Sequence, residues 1–103
     1  MSYIPGTRPR TPYIYNKTMT SADTEYSQAL PRGALTFLIH TRDETIFRLS
    51  FETGKVATPT VPYLTILANS GYSEFEIVNE DESLTLYFAS PSAGKVVEIL
   101  VWT

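Results

Sequence analysis

Apolar and polar residues alternate with a period of two along most of the chain, from residue 13 onward. A period of two is typical of half-buried β-strands, whereas an amphipathic helix repeats about every 3.6 residues. No segment shows an apolar stripe at helical spacing, and turn-forming residues interrupt the alternation roughly every ten residues. Short strands at regular spacing favour packed sheets, so we predict an all-β fold, an antiparallel β-sandwich of about seven or eight short strands.

Eight runs of residues have strand character, and the turn signals between them set their limits. These runs span residues 13–20, 24–30, 34–41, 45–51, 63–67, 72–78, 84–89 and 95–102. The segment 56–62 is predicted to be a loop or an edge segment, because Pro59 and Pro62 cannot donate hydrogen bonds to a sheet. The runs 34–41 and 45–51 flank a short charged turn and therefore predict a β-hairpin.

Two of the predicted strands have faces that bear on function. In the run 72–78, Glu74 and Glu76 alternate with mainly apolar residues, which predicts a half-buried strand with an acidic outer face. The last run, 95–102, is apolar on both faces. We therefore expect it to lie centrally in a sheet or to be covered by another chain, because an unpaired strand of this kind would be an aggregation-prone edge.

The composition excludes several kinds of site and partner. The 103 residues include no cysteine, which excludes disulfides, thiol catalysis and thiolate metal sites. They include one histidine, which excludes any mechanism that needs a pair of histidines. The net charge of −3 argues against a general nucleic-acid binder. No apolar run reaches the roughly 18 residues of a membrane span, and the first residues lack the pattern of a secretory signal. We expect one domain, with no nucleic acid and no membrane among its partners.

A basic, proline-rich segment precedes the first predicted strand. Residues 1–17 carry three cations and no acid, a net charge of +3, whereas the remaining residues carry −6. Prolines at positions 5, 9 and 12 exclude a stable helix. We predict that residues 1–13 form an extended arm with polyproline II character and that residues 14–103 form the β-sandwich domain.

Two interpretations of the arm remain open. It is either a frayed terminus or a segment that lies on a neighbouring subunit. In the second case its prolines lower the entropy that is lost on docking. The predicted partner-binding residues are then three anchors and two arginines that meet an acidic surface, namely Tyr3, Ile4, Tyr13, Arg8 and Arg10.

An acidic cluster lies in and after the predicted strand 72–78. It consists of Glu74, Glu76, Glu80, Asp81 and Glu82. It is a solvated turn, a weak cation site, or an acidic patch that receives a basic arm from a neighbouring copy in head-to-tail self-association. The spaced ligands and internal glycine of a calcium loop are missing, so we predict no metal site.

The remaining polar and aromatic residues do not predict catalysis. His40 is expected on a sheet face, and no nucleophile has a base at a recognised spacing, so we predict no catalytic residue and no cofactor. Exposed aromatic rings can stack on sugars. For this role the candidates are Tyr63, Tyr72, Tyr87 and Trp102, although packing at the core or its rim is an equally simple use of each ring.

One stretch supports a more specific expectation. The run Ala22-Asp23-Thr24-Glu25-Tyr26-Ser27-Gln28-Ala29-Leu30-Pro31, followed by strand sequences up to residue 102, resembles small structural proteins encoded among the virion genes of tailed bacteriophages. The resemblance covers residues 18–102 and does not reach the arm. It implies a virion component, assembled in the host cytoplasm, that acts as a capsid decoration or cement protein and carries no catalytic role.

The leading expectation is therefore a non-enzymatic structural protein of a phage particle. It would bridge neighbouring capsid subunits through its arm and its apolar strand surfaces, with the major capsid protein or other virion proteins as partners. One alternative is another virion component, such as a head–tail connector, a tail protein or a fibre-anchoring protein. Another is a carbohydrate- or receptor-binding β-sandwich module. An enzyme is not expected, because the pairs of titratable groups that catalysis commonly uses are missing.

Overall fold

The regular secondary structure of the described residues, 10–74 and 84–103 of the computed structural model, consists of eight β-strands and no helix. The prediction of an all-β chain with seven or eight strands is confirmed. The strands are β1 (Pro12–Met19), β2 (Tyr26–Ala29), β3 (Thr36–Thr41), β4 (Phe47–Ser50), β5 (Leu64–Ile66), β6 (Gly71–Glu74), β7 (Thr85–Ala89) and β8 (Lys95–Trp102). No helix in these two ranges is long and apolar enough to cross a membrane.

The strands form two antiparallel four-stranded sheets. Sheet A has the order β1-β8-β3-β6, and sheet B has the order β2-β7-β4-β5. The strands pair as β1·β8, β2·β7, β3·β6 and β4·β5, so that each pair lies inside the previous pair along the sequence. This is the strand arrangement of a jelly roll, a form of β-sandwich in which two sheets share one core.

The core lies between the inner faces of the two sheets. Alternate residues of each central strand point inward, as the period of two requires. On β8, Val97, Ile99 and Val101 are buried and their neighbours are partly exposed. The largest fully buried side chains are Phe37, Phe47 and Phe88, which come from both sheets. Of the two predictions for the last strand, a central position or coverage by another chain, the structure shows the central position, because β8 lies between β1 and β3.

The predicted hairpin between the third and fourth strands is wrong. The β3 strand pairs with β6 and β8, whereas β4 pairs with β5 and β7 in the other sheet. Both edges of each strand are therefore already occupied. The charged turn crosses between the sheets, with Glu44 at a φ of 63° and the Thr41 hydroxyl donating to the Thr45 carbonyl oxygen at 2.7 Å.

The predicted orientation of the sixth strand is also wrong. Tyr72 pairs with the buried Ile39 and packs against the core, so Tyr72 and Glu74 share the inward side of sheet A. The Tyr72 ring lies 5.8 Å from that of Phe37. Burial of this ring sets the strand's orientation, and Glu74 remains exposed because β6 is an edge strand.

Candidate functional site

The loop formed by residues 51–62 packs on the outer side of sheet B at β4. Arg48, on the outward side of β4, holds this loop with a side chain that is only 11% exposed. Its Nε donates to the Val56 carbonyl oxygen at 2.6 Å, and its Nη2 donates to the Ala57 carbonyl oxygen at 3.3 Å. Nη2 also pairs with the Asp23 carboxylate at 2.9 Å. One guanidinium therefore joins the loop to the turn before β2.

A second attachment holds the tip of the same loop. The Glu25 carboxylate accepts hydrogen bonds from the Thr53 hydroxyl at 2.7 Å and from the Gly54 backbone amide at 2.8 Å. Val56 is fully buried without belonging to the main core cluster. The loop is thus attached at two points and lies over the part of sheet B around Arg48.

The outer face of sheet A carries an apolar row in the described part of the chain. The register places Ile14 of β1 beside Leu100 of β8, and Leu100 beside Leu38 of β3. Ile14 is 70% exposed and Leu38 is 38% exposed. Trp102, also 38% exposed, lies in the next row toward the end of β8. Large apolar side chains on one open face are typical of a surface that another protein covers.

A polar network borders this apolar row. The Arg42 Nε donates to the Glu98 carboxylate at 2.9 Å, and its Nη2 donates to the Asn16 amide oxygen at 3.2 Å. The His40 Nε2 lies 3.7 Å from the other Glu98 oxygen. These four residues link β1, β8 and the end of β3 beside a shallow depression of about 300 Å³. An apolar centre with a polar border is the usual anatomy of a protein interface.

A second depression, of about 270 Å³, lies at the edge of sheet B. Its lining includes Phe51 and Leu64, together with Pro62, which follows a cis peptide bond. The Ser50 hydroxyl donates to the Pro62 carbonyl oxygen at 2.9 Å. The Phe51 ring meets the buried Phe37 ring edge-on, with centroids 6.4 Å apart. This depression therefore lies at a place where the hydrophobic core reaches the protein surface.

Of the predicted arm residues, Arg10 and Tyr13 lie within the described part of the chain. Tyr3, Ile4 and Arg8 lie outside the described residues. Arg10 is exposed, and β1 begins at Pro12, so the last two residues of the predicted arm belong to sheet A. Tyr13 pairs with the buried Val101 and therefore points to the opposite side from Ile14.

Glu74 is the one member of the predicted acidic patch that lies within the described residues. Glu76, Glu80, Asp81 and Glu82 lie outside the described residues. Glu74 accepts a hydrogen bond from the Tyr72 hydroxyl. This hydrogen bond, together with burial and the nearby negative charge, raises the pKa of Tyr72 to about 12. Glu74 thus has a role within the fold.

The Tyr72–Glu74 contact predicts a pH dependence of stability. The folded protein holds the phenolic proton more tightly than the unfolded chain, whose tyrosine pKa is 10.0. The stabilisation is therefore complete below pH 10 and is lost as the pH rises through about 12. We expect Tyr72→Phe to cost about 1 kcal/mol at most at pH 8, because both groups are partly exposed, and less at pH 12. Urea unfolding of the two proteins at a series of pH values measures the difference. A difference that stays constant across this range would contradict the assignment.

The other sequence candidates lie apart from each other. His40 is on the outer face of sheet A, as its place in the alternation predicts. Tyr72 packs toward the core, Tyr87 is on the outward side of sheet B, and Trp102 is on the outward side of sheet A. Tyr72, Tyr87 and Trp102 therefore do not share a platform for a sugar ring, and Tyr63 lines the depression at the edge of sheet B. Among residues 10–74 and 84–103, no three acidic, histidine or cysteine side chains come together to hold a metal ion.

Sequence reasoning identified the apolar faces of the last strand, which include Leu100, but missed the neighbours of Leu100 in the apolar row. Ile14 and Leu38 each looked like an ordinary member of an alternating strand. Their common face depends on the pairing of β1, β8 and β3, which come from distant parts of the chain. The available signal was Leu100 with Trp102, two large apolar residues on the side of β8 that does not carry the buried valines.

Comparisons with protein-family models, with curated proteins and with solved structures give no match to this chain.

Proposed function

We propose that this protein is a non-enzymatic structural component of a bacteriophage particle, a capsid decoration or cement protein that binds the major capsid protein. The observation that carries the proposal is the difference between the two outer faces. The outer side of sheet B carries the loop that Arg48 holds over β4, whereas sheet A presents Ile14, Leu38 and Leu100 in one open row. A cement protein needs such a contact area and no reacting groups.

The point at which residue 10 leads into sheet A supports the same proposal. Arg10 leads directly into β1, which is an edge strand of sheet A. A segment that continues from this edge starts beside the apolar row, so the arm and the face are able to bind the same or adjacent subunits. Two weak contacts on one molecule reinforce each other through their effective concentration. The fold agrees with this role by analogy alone, since jelly rolls occur in viral capsid proteins and also in lectins.

The test is the number of copies of this chain per major capsid protein in purified particles of the phage that encodes it. Quantitative mass spectrometry is expected to give a simple ratio to the shell protein. A far smaller number would contradict a decoration role and indicate a connector, tail or fibre-anchoring component. Absence from the particles would reject the virion proposal, and a glycan array would then test the sugar-binding alternative.

Variants of the two outer faces test the surface itself. Leu38→Asp is expected to lower the number of bound copies at least about tenfold, because it places a charge in the apolar row beside Leu100. Ser27→Asp places the same charge on β2, on the outward side of sheet B, and is expected to bind normally. Equal binding by both variants would show that sheet A does not contact the shell. Circular dichroism checks that both variants are folded.

A further inference from the structure

The free edge of β1 is the longest open strand edge in the described residues. The sandwich has four edge strands, β1 and β6 in sheet A and β2 and β5 in sheet B. As far as the structure describes them, β1 has eight residues, whereas the others have four, four and three. Natural sheets keep their edge strands short because an open edge is a template for another strand. The length of β1 therefore calls for an explanation.

The hydrogen bonds show which backbone groups of β1 face outward. The Thr103 amide donates to the Thr11 carbonyl oxygen at 3.0 Å, so the odd-numbered residues of β1 point toward β8. Successive residues of an antiparallel strand point to opposite sides. The N–H and C=O groups of Ile14, Asn16 and Thr18 therefore point away from the sheet, and no described residue bonds to them. Each of these three alternate residues therefore offers one N–H donor and one C=O acceptor to an added ninth strand.

The side chains along this edge favour a particular partner. Arg10 precedes the three residues, and Lys17 lies between the last two of them. Neither cation has an ion-pair partner among the described residues. The sequence from residue 10 to residue 22 contains no acid. A second copy of β1 would bring the same cations together, so self-pairing is opposed by charge. An added strand with acidic side chains would be favoured.

The two faces of such a strand follow from the register. Residues that pair with Ile14, Asn16 and Thr18 would point to the outer face of sheet A, next to the apolar row. Residues between them would point to the side of Lys17. A matching strand therefore alternates apolar residues with acids, the apolar ones extending the row of Ile14 and Leu100.

We propose that the free edge of β1 is a docking site for an extended acidic segment of another protein, which adds to sheet A as a further antiparallel strand. The proposal deepens the proposed function, because it names the chemistry of the shell segment that would bind. Strand addition gives affinity through the backbone and specificity through alternate side chains. Ile14 contributes to both, since its backbone faces the edge and its side chain lies on the apolar row.

The experiment uses the full-length protein and a defined probe, an eight-residue peptide that alternates valine and glutamate. In ¹H–¹⁵N NMR titrations we expect shifts at the amides of Ile14, Asn16 and Thr18, with affinity in the millimolar range or tighter. A matched peptide with lysine in place of glutamate is expected to bind at least about tenfold more weakly. Shifts confined to another edge, no binding of the acidic peptide, or equal binding of both peptides would overturn the proposal.

Proline substitutions test the backbone directly. Asn16→Pro removes an amide that points to the free edge, so we expect a folded protein that binds the acidic peptide at least about tenfold more weakly. Asn16→Ala keeps this amide and removes the same side chain, including its hydrogen bond to Arg42, so it is expected to bind at least about tenfold more tightly than Asn16→Pro. Ser27→Pro removes the corresponding outward amide of β2 and is expected to leave binding unchanged. Wild-type affinity in a folded Asn16→Pro protein would overturn the proposal.

The peptide experiment tests the docking edge and the particle experiment tests the phage role, so each proposal can be rejected without the other. Peptide binding at β1 together with absence from particles would keep the docking edge and reject the phage role. A simple copy number in particles together with no peptide binding would keep the decoration role and reject the edge as the docking site.

Discussion

Phe88→Ala is expected to lower the free energy of unfolding by about 3–5 kcal/mol. Phe88 is fully buried in β7, next to Leu49 of β4 and Tyr26 of β2. Truncation removes the transfer free energy of the ring and leaves a cavity that a two-sheet core cannot close. A domain of this size has a total stability of only about 5–15 kcal/mol. The midpoint of thermal unfolding should therefore fall by more than about 10 °C, as measured by circular dichroism or calorimetry.

Leu38→Ala is the matched control for this prediction. Leu38 is as apolar as a core residue, but it lies on the outer face of sheet A and is 38% exposed. Its truncation is expected to cost less than about 1 kcal/mol. If the two substitutions were equally costly, Leu38 would be a core residue, and the apolar row would not be an open surface.

Arg48→Leu is expected to lower the free energy of unfolding by about 2–3 kcal/mol. The substitution leaves the Val56 and Ala57 carbonyl oxygens without their donors and the Asp23 carboxylate without its cation. Local opening of the loop 51–62 should become easier than global unfolding. Lys55 lies in this loop beside Val56, so trypsin cleavage after Lys55 reports on the opening. We expect cleavage to accelerate roughly thirtyfold or more, in line with a change of about 2 kcal/mol.

Arg42→Leu provides the comparison for Arg48. Arg42 also pairs with a carboxylate at 2.9 Å, but its side chain is 56% exposed. Exposed ion pairs contribute about 0–1 kcal/mol, so this variant should unfold almost like the wild type and keep its resistance at Lys55. Similar cleavage rates for the two variants would show that Arg48 does not hold the loop.

The strands were predictable from the sequence because alternation is a local property. The run 95–102 matches β8 along its whole length, and its central position followed from apolar residues on both faces. The pairing of strands was not predictable in the same way. The turn after Thr41 looks like a hairpin turn, but the partners of β3 and β4 come from distant segments. Pairing between strands that are distant in sequence cannot be predicted from the local alternation of apolar and polar residues.

The candidate surface was only partly predictable for the same reason. The sequence indicated Arg10 and Tyr13 as partner-binding residues, and the structure places Tyr13 on the inward side of β1. Ile14, one residue later, is the exposed residue of the apolar row. A shift of one residue along a strand reverses the face of every side chain, so neighbouring residues exchange roles. The role of Arg48 was hidden because its acceptors are backbone oxygens of a loop.

The nesting of β1 with β8 also has a consequence for the order of events during synthesis. The first and last strands pair along eight residues, from Pro12 with Trp102 to Met19 with Lys95. Sheet A therefore cannot assemble until residue 102 has left the ribosome, and the ladder is dominated by contacts of high sequence separation. Domains of this contact order fold on a timescale of milliseconds to seconds. The binding face therefore forms only after β8 has been synthesised, and nascent chains that lack β8 do not display it.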